Sequence, residues 1–273
     1  MVVLVSLLRV ATFNVNSIRS RLPVLERWLH DTSVDVLCLQ ETKVVDEDFP
    51  RAFFEDLGYG VAFRGQKSYS GVAVASRLPI EEAESGFGDG GPEGDEPRIL
   101  RVTLGVPGSA ARPRLRIVNT YVPQGKAIDH PDYPYKLGFL ERLARLFDAA
   151  GVPEGHLLWV GDLNVAPTDR DVTHPENKRD HVCFHETLRN LFADITAPRF
   201  VDVFRKHRPG DGEFSFWDYR VKNALERNIG WRIDHILATP ELAALSSDCY
   251  AVRELRAWEK PSDHTAVVGV FDL

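Results

Sequence analysis

His156-Leu157-Leu158-Trp159-Val160-Gly161-Asp162-Leu163-Asn164-Val165-Ala166-Pro167 is an apolar run that ends abruptly in a carboxylate and an amide two residues apart. A short unbroken apolar run bounded by turn residues predicts a buried strand, His156–Leu163. Side chains at i and i+2 of a strand share a face, so Asp162 and Asn164 are expected to look into one site. An Asx turn closing the strand would need the same two residues. Recurrence speaks for the site. Apolar strands finished by a side chain suited to metal or phosphate return at Arg9–Asn14, Val34–Gln40, Leu115–Tyr121, Arg232–Ala238 and, with the polar residues leading, His264–Phe271.

Tyr59–Arg64, Gly71–Ser76 and Arg98–Val106 are further expected strands, short and bounded by Gly, Pro, Asp or Ser. Apolar spacing of three and four predicts helices around Leu22, Leu25 and Leu29 and around Leu137, Leu140, Leu143, Leu146 and Phe147, with a weaker one from Glu186 to Phe192. Strands outnumber helices and do not alternate with them, which argues against a simple parallel doubly wound sheet. Two packed mixed sheets with helices outside fit better. The stretch Gly86–Pro97 is expected to be a loop, since its glycine spacing is irregular and acids interrupt it. No segment marks a domain boundary. The expectation is one domain over residues 9–273, preceded by a short extension, residues 1–8.

The chain has 273 residues, of which 44% are hydrophobic and 27% charged, an ordinary balance for a soluble protein with an ample core. No apolar run approaches the ~18–20 residues that cross a membrane. The opening Met1–Arg9 has neither a basic n-region nor a small-residue cleavage site. Cys38, Cys183 and Cys249 show no metal spacing, and Cys38 lies in an apolar run as a reduced buried thiol would. A cytoplasmic location follows as the expectation. The net charge of −7 does not advertise a nucleic-acid partner, but it averages over the surface, and carboxylates that hold a cation are partly neutralised by it. The basic clusters Arg112, Arg114 and Arg116, Lys178 and Arg179, and Arg205 to Arg208 are expected to be solvated faces.

In chain order the polar strand ends are Asn14 and Asn16, Glu41, Tyr121 with Gln124, Asp162 and Asn164, Asp234, and Asp263 with His264. Singly, Glu41 could be an exposed acid, Tyr121 a core aromatic and His264 a capping histidine. Asp234 is harder to dismiss, because a buried carboxylate is costly unless paired or metal-bound. A His–Asp pair would satisfy it.

With these motifs the chain resembles the exonuclease III-type abasic-site endonucleases of the endonuclease/exonuclease/phosphatase superfamily. The resemblance rests on Phe13-Asn14-Val15-Asn16, Leu39-Gln40-Glu41-Thr42-Lys43, Tyr121-Val122-Pro123-Gln124-Gly125, Gly161 to Asp169, Phe214-Ser215-Phe216-Trp217-Asp218-Tyr219-Arg220, Trp231-Arg232-Ile233-Asp234 and Lys260-Pro261-Ser262-Asp263-His264. These run in the family's order from about residue 9 to the C-terminus. Glu-Thr-Lys and Gly-Asp-Leu-Asn are widespread in the superfamily, whereas the Phe214–Arg220 block and Lys-Pro-Ser-Asp-His are specific to its DNA-repair branch.

The resemblance implies a four-layer α/β/β/α sandwich with the site where loops of both sheets converge. It implies Mg²⁺, with Mn²⁺ able to substitute, held by Glu41 with Asp263 and Asn14 and with Asp162 and Asn164 close by; oxygen ligands suit such a cation. Asp162, positioned by Asn164, would handle the proton of the attacking water. His264, kept charged by Asp234, would hold a phosphate oxygen that Tyr121 also contacts. Phe216, Trp231 and Ile233 would line a pocket for a baseless sugar, and Gln124 and Asn16 would also meet substrate, while Trp217 is expected in the core. Asp162, Tyr121 and His264 each remain candidates for the base, and one or two metals are both compatible. The implied activity is incision of duplex DNA 5′ to abasic sites, with processing of blocked 3′ ends and 3′→5′ exonuclease action, by a monomer. Two features depart from the pattern: Ser17 stands where glycine is expected, and Asp171–Phe192 matches no version well.

Two other functions compete. A phosphatase of the same superfamily, acting on inositol phosphates or phospholipid headgroups, would share the metal and His–Asp residues; the Phe214–Arg220 block and Trp231 favour DNA. A catalytically silent DNA-binding or scaffold protein on this fold would have lost one of the Glu, Asp or His residues, and none is missing.

Overall fold

The computed structural model describes residues 7–90, 96–105, 114–152 and 155–273. In chain order its elements are β1 (Leu7–Asn14), α1 (Ile18–Asp31), β2 (Val36–Gln40), α2 (Arg51–Asp56), β3 (Gly60–Arg64), β4 (Val72–Ser76), β5 (Ile80–Ser85), β6 (Ile99–Leu104), β7 (Leu115–Tyr121), α3 (Asp132–Ala149), β8 (Leu157–Asp162), α4 (Glu186–Thr196), β9 (Val201–Asp202), α5 (Val203–His207), β10 (Asp234–Ala238), α6 (Pro240–Ala244), β11 (Ser246–Ala251) and β12 (Val267–Asp272). They form two six-stranded sheets, ordered β11-β12-β1-β2-β4-β3 and β5-β6-β7-β8-β10-β9. Only β1/β2 and β7/β8 pair in parallel, so both sheets are mixed.

Period-two alternation builds the layers. Val10, Val36, Cys38, Val72 and Val74 of the first sheet meet Val102, Ile117, Leu158, Val160 and Ile236 of the second in the inter-sheet core. The intervening Ala11, Phe13, Leu37, Leu39 and Ala73 turn outward onto Leu25, Trp28 and Leu29 of α1 and Phe54 of α2. On the far side Val118, Leu157, Trp159 and Leu237 meet Leu140, Leu143 and Phe147 of α3 and Leu188 and Phe192 of α4. The expected four-layer sandwich is the architecture. Central strands covered on both faces, such as β2 and β8, are buried throughout, which is why they read as continuous apolar runs.

The first strand begins earlier than expected: Leu7 and Leu8 pair with Asp272 and Phe271, so these two residues belong to the sheet. Residues 1–6 of the expected extension, 91–95 of the glycine-rich stretch, Val106 and Arg112 lie outside the described residues. The remaining residues of Gly86–Pro97 carry neither helix nor strand. Unforeseen elements are the strands β5, β9 and β11 and the short helices α2, α5 and α6. The cluster Arg205–Arg208 is not simply a solvated face: Arg205 pairs with buried Asp171, and Lys206 donates to the carbonyls of Ala243 and Ser246.

Register brings the polar strand ends to one rim. β7 and β8 finish together with Tyr121 opposite Asp162, and β10, running the other way, starts with Asp234 opposite Asp162. β1 and β2 finish together with Asn14 opposite Gln40, while Asp263 and His264 come just before β12, the antiparallel neighbour of β1. Below this rim Gln40 donates from Nε2 to Asn119 Oδ1 at 2.7 Å, and Asn119 Nδ2 reaches the carbonyls of Leu39 and Ala73 at 3.0 Å, tying the sheets together by polar contacts in an otherwise apolar interface.

Candidate active site

Asp162 is the last residue of β8 and is 1% exposed. Its Oδ1 accepts the backbone N–H of Asn164 at 3.0 Å, and Asn164 has φ of +50°. The two residues therefore form an Asx turn and also line one cleft. Strand alternation is not what brings them together; the chain has already left the strand at Asn164. Gly161, at φ of +137°, precedes the turn, and a Cβ there would sit 1.9 Å from the carbonyl oxygen of Thr120, so no other residue lets β7 and β8 close up at this point.

The amide of Asn14 joins two acids: Nδ2 donates to Glu41 Oε1 at 2.8 Å and to Asp162 Oδ2 at 2.9 Å. Glu41 Oε2 lies 2.7 Å from the Lys43 ammonium, which also donates to Asn16 Oδ1, and Asn16 Nδ2 donates to Asp263 Oδ1 at 3.0 Å. Burial pushes the Glu41 carboxyl up, but Lys43 and the Asn14 bond outweigh it and hold it below its usual value. It is ionised.

His264 is buried beside these acids. Its Nδ1 is 2.8 Å from Asp234 Oδ2, and its Nε2 is 3.7 Å from Asp162 Oδ2. Burial disfavours the imidazolium, but the carboxylates of Asp234 and Asp162 prevail and raise the pKa to about 10. The ring is charged at neutral pH, with both nitrogens as donors. Asp162 is raised to about 7, by burial first and by Asp234 and Glu41 against the opposing pull of His264. A carboxylate poised there is suited to exchanging a proton with water. Tyr121 is pushed well above its usual range by burial and by Glu41 and Asp162, so its phenol stays protonated.

Oxygen chemistry suits a hard cation here. Asp162, Asp234 and His264 bring ligand atoms within 4.8 Å of one another, a cluster that can hold a metal ion. A charged His264 has no lone pair to give, however, so the competent donors are the carboxylates on the open side: Glu41, Asp162 and Asp263. The two amides expected near the metal are engaged in hydrogen bonds here. Asn14 Oδ1 accepts from the Asn16 backbone and its nitrogen faces the acids. Asn164 spends Nδ2 on the carbonyl of Val122, and its Oδ1 lies 3.7 Å from the Cys183 thiol. These bonds tie Asn14 to Glu41 and Asp162, and Asn164 to Asp162 and Val122.

The cleft, about 560 Å³, runs from Glu41, Tyr121 and Gln124 past Asp162 and His264 to Phe216, Trp231 and Ile233. Phe216 lies 4.8 Å from His264, ring centre to ring centre, because residues 215–217 form a small ribbon bonded to Trp231 on one side and to Asp263 and Thr265 on the other. The specific Phe214–Arg220 block thus joins the aromatic wall to the histidine. Trp217 is 1% exposed and packs with Phe214 and Ala224, in the core as expected. Ile233 serves core and cleft alike.

Sequence reasoning missed Lys126, His181, Asp218 and Arg220 on the cleft wall, and above all Lys136. That lysine, fully buried on α3, donates to the carbonyls of Gln124 at 3.1 Å and of Asn164 and Val182 at 2.7 Å, clamping three cleft loops. A single charged residue in a helix reads as surface, and only its place between apolar Tyr133 and Leu140 on the inward stripe hinted otherwise.

The endonuclease/exonuclease/phosphatase family model matches residues 11–264. Exodeoxyribonuclease III of Haemophilus influenzae is 32% identical over 95% of this chain and 98% of its own length. The AP endonuclease of Archaeoglobus fulgidus superposes with a TM-score of 0.91 at 46% identity, covering 97% of this chain and 100% of that one. The 3′ phosphatase NExo of Neisseria, solved with a product DNA hairpin, superposes with a TM-score of 0.90 at 32% identity over 97% and 100% of the two chains. The protein is therefore a hydrolytic nuclease that belongs to the endonuclease/exonuclease/phosphatase family, in its branch of exonuclease III-type AP endonucleases.

Proposed function

We propose that this chain is a Mg²⁺-dependent repair phosphodiesterase that incises duplex DNA on the 5′ side of abasic sites, leaving a 3′-hydroxyl and a 5′-deoxyribose phosphate. Removal of blocked 3′ groups and 3′→5′ exonuclease action are its side activities. The observation that carries this reading is the aromatic wall of Phe216, 4.8 Å from the charged His264. A pocket for an extruded baseless sugar and a cation for its phosphate then share one cleft, which an inositol-phosphate site would not need.

Glu41 and Asp263, with Asp162, would hold the metal; when bound, Mg²⁺ neutralises charge building on the phosphate and the leaving 3′ oxygen. Asp162 takes the proton of the attacking water as the water oxygen bonds to phosphorus and the P–O3′ bond breaks, and the departing 3′ oxygen takes up a proton from solvent to become the 3′-hydroxyl. His264 donates from Nε2 to a non-bridging oxygen, and Asp234 keeps that donor charged. The Tyr121 phenol, still protonated, donates to the same phosphate. Asn14 and Asn164 fix the carboxylate geometry, while Gln124 and Asn16 meet the flanking strand. Mn²⁺ substitutes for Mg²⁺. The chain works as a monomer with one domain that begins with β1, in the cytoplasm, in base-excision repair. Among the described residues no helix is long and apolar enough to cross a membrane.

Nicking of an end-labelled duplex with one stable abasic analogue tests this, with Mg²⁺ and with EDTA, beside an intact duplex. Metal-dependent cutting at the lesion is expected. Ladders from the 3′ end on both duplexes would make the exonuclease the main activity, and no cleavage by folded protein supplied with Mg²⁺ would discard the DNA reading.

A further inference from the structure

Lys136, in the first half of α3, is fully buried, and its Nζ donates to three carbonyls: Gln124 at 3.1 Å, Asn164 at 2.7 Å and Val182 at 2.7 Å. An ammonium has three hydrogens and a neutral amine only two, so this ring of acceptors specifies the charged form. Burial pulls its pKa below the usual lysine value, with the Cys183 thiol and Asp162 opposing. Nζ also lies 4.0 Å from the Cys183 sulfur, and among the described residues no carboxylate comes within ion-pair distance of it.

A buried charge without a counter-ion is costly, and α3 does not need one: an apolar side chain of the same length would suit the stripe of Tyr133, Phe139, Leu140 and Leu143. What the charge does is gather carbonyls. Three carbonyl dipoles aimed at one point repel one another, and a cation between them reverses the sign. The stem cannot swing away. Gly125, at φ of +96°, passes so close that a Cβ there would meet Lys136 Cδ at 3.3 Å and Tyr133 Cδ2 at 3.4 Å.

Two of these carbonyls belong to loops that carry reacting groups. Asn164 has its N–H on Asp162 Oδ1 at 3.0 Å and its carbonyl on Lys136, so one residue links the acid to the ammonium. Gln124 follows Tyr121 in the same loop. Between them, the N–H of Val122 donates to the carbonyl of Asp162 at 3.0 Å, and the Val122 carbonyl accepts from Asn164 Nδ2 at 3.0 Å. Lys136 thus ties the ends of β7 and β8 to each other and to α3.

We propose that Lys136 is a positioning residue for phosphodiester hydrolysis: its uncompensated charge gathers the loops after β7 and β8 so that the Tyr121 phenol and the Asp162 carboxylate address one phosphate. It touches no substrate, since all three hydrogens are spent on carbonyls, and it acts through Asn164 and Gln124. This rests on the nuclease reading above. Such a role falls on the rate of the bound complex more than on binding, because displacing reacting groups by about 1 Å costs on the order of 10²-fold in rate.

Steady-state nicking of the abasic duplex by wild type, Lys136→Met and Lys136→Ala tests the proposal, with rates taken per folded molecule well below each Tm. Methionine keeps the stem and removes the charge, so kcat should fall by about 30- to 100-fold, with KM changed less than about threefold. Alanine should lose as much. It leaves a space the shape of n-propylammonium, which should restore part of its kcat saturably, while n-propanol at matched ionic strength should not. Should Lys136→Met not fold, Lys136→Ala folded in n-propylammonium and then diluted out of it makes the same comparison. Wild-type kcat in Lys136→Met with only a lower Tm, a higher KM at unchanged kcat, or equal rescue by propanol would each overturn the proposal alone. A wild type that nicks no abasic duplex overturns the nuclease reading and this inference together.

Discussion

Two buried clusters of opposite charges, one holding Arg232 and the other Asp234, meet at the entry to β10, and they are built differently. In one, Asp171 Oδ1 accepts from Arg232 Nε at 2.6 Å and from Arg205, while Oδ2 accepts from both the backbone and hydroxyl of Thr168. Arg232 goes on to Asp202 at 2.8 Å and to His235, whose other nitrogen meets the carbonyl of Val165. In the other, Asp234 bonds His264 through Oδ2, but its buried Oδ1 has no partner among the described residues, and His264 Nε2 stops 3.7 Å short of Asp162. The first is saturated and the second is not. A saturated network has nothing left to offer a substrate; an unsaturated one keeps bonding capacity in reserve, at a cost in stability. Saturation thus separates scaffold from chemistry where burial and charge alone do not.

The largest effect on the chemistry should come from the open cluster. His264→Ala is expected to lower the nicking rate per folded molecule by ~10²–10⁴-fold, the range for a well-placed electrostatic or acid–base group, a loss far beyond what any fall in Tm from the broken His264–Asp234 pair accounts for. A loss below about tenfold in a folded variant would remove His264 from the chemistry and erase the contrast. The closed cluster should answer in reverse. Asp171→Asn leaves Arg232 and Arg205 short of charge, and breaking a buried pair costs roughly 3–5 kcal/mol, which lowers Tm by roughly 10 °C at about 2–4 °C per kcal/mol. Activity per folded molecule, measured well below that Tm, should stay within about threefold of wild type. A rate collapse at unchanged Tm would mean that the saturated cluster also works in catalysis.

The two clusters should also fail at opposite ends of the pH scale. For His264 the folded pKa, about 10, lies above its ordinary 6.5. Its contribution is fully present below pH 6.5 and is lost as pH rises through about 10. Asp171 is shifted the other way: burial opposes ionisation, but Arg232 and Arg205 prevail and hold the carboxyl far below its ordinary 3.8. Its contribution is present above pH 3.8 and fades as pH falls below that. Denaturant unfolding in EDTA, read as wild type minus Asp234→Asn and wild type minus Asp171→Asn, should give difference curves that decline toward alkali and toward acid respectively. Parallel curves would refute the opposed shifts.

How much of this was legible beforehand follows the same division. Strand ends facing the cleft carried the signal by recurrence: each of Asn14, Glu41, Tyr121, Asp162 and Asp234 has a plain reading alone, but the same pattern returning along the chain does not. The saturated cluster left no trace in the sequence: Asp171, the close pair Asp202 and Arg205, and Arg232 come from three separate stretches of the chain, and each looks like a surface charge. Lys136 was hidden for that reason too. Among strands, β5 and β11 escaped because edge positions relax the apolar pattern; Ile80-Glu81-Glu82-Ala83-Glu84-Ser85 is half-buried only at Ile80 and exposed beyond it. Asp162 and Asn164 were joined correctly but for an incomplete reason, since the turn, rather than strand alternation, orients them.

The backbone repeats the contrast on a smaller scale. Asn16, Ser17, Glu41, Lys43 and Asn164, all around the open cluster, have φ between +44° and +92°, whereas Asp171, Asp202, Arg205 and Arg232 have none in that region. Left-handed backbone at non-glycine residues costs about 1–3 kcal/mol each and gathers at functional sites. Ser17 is the extreme, at φ of +92° and ψ of 106°, a conformation that favours glycine, which explains why glycine is the expected residue there. Its N–H holds the carbonyl of Glu41 at 2.8 Å, so the strained turn sets the loop that carries the principal acid, while its hydroxyl meets only Ser20. Ser17→Gly keeps that backbone bond and removes the steric cost. The variant should gain about 1 kcal/mol after the greater freedom of glycine in the unfolded chain is deducted, a rise in Tm of about 2–4 °C, with unchanged nicking. Were the rate to fall as Tm rose, the strain at Ser17 would be part of the site's geometry, and the open cluster would depend on its backbone as well as on its unsatisfied side chains.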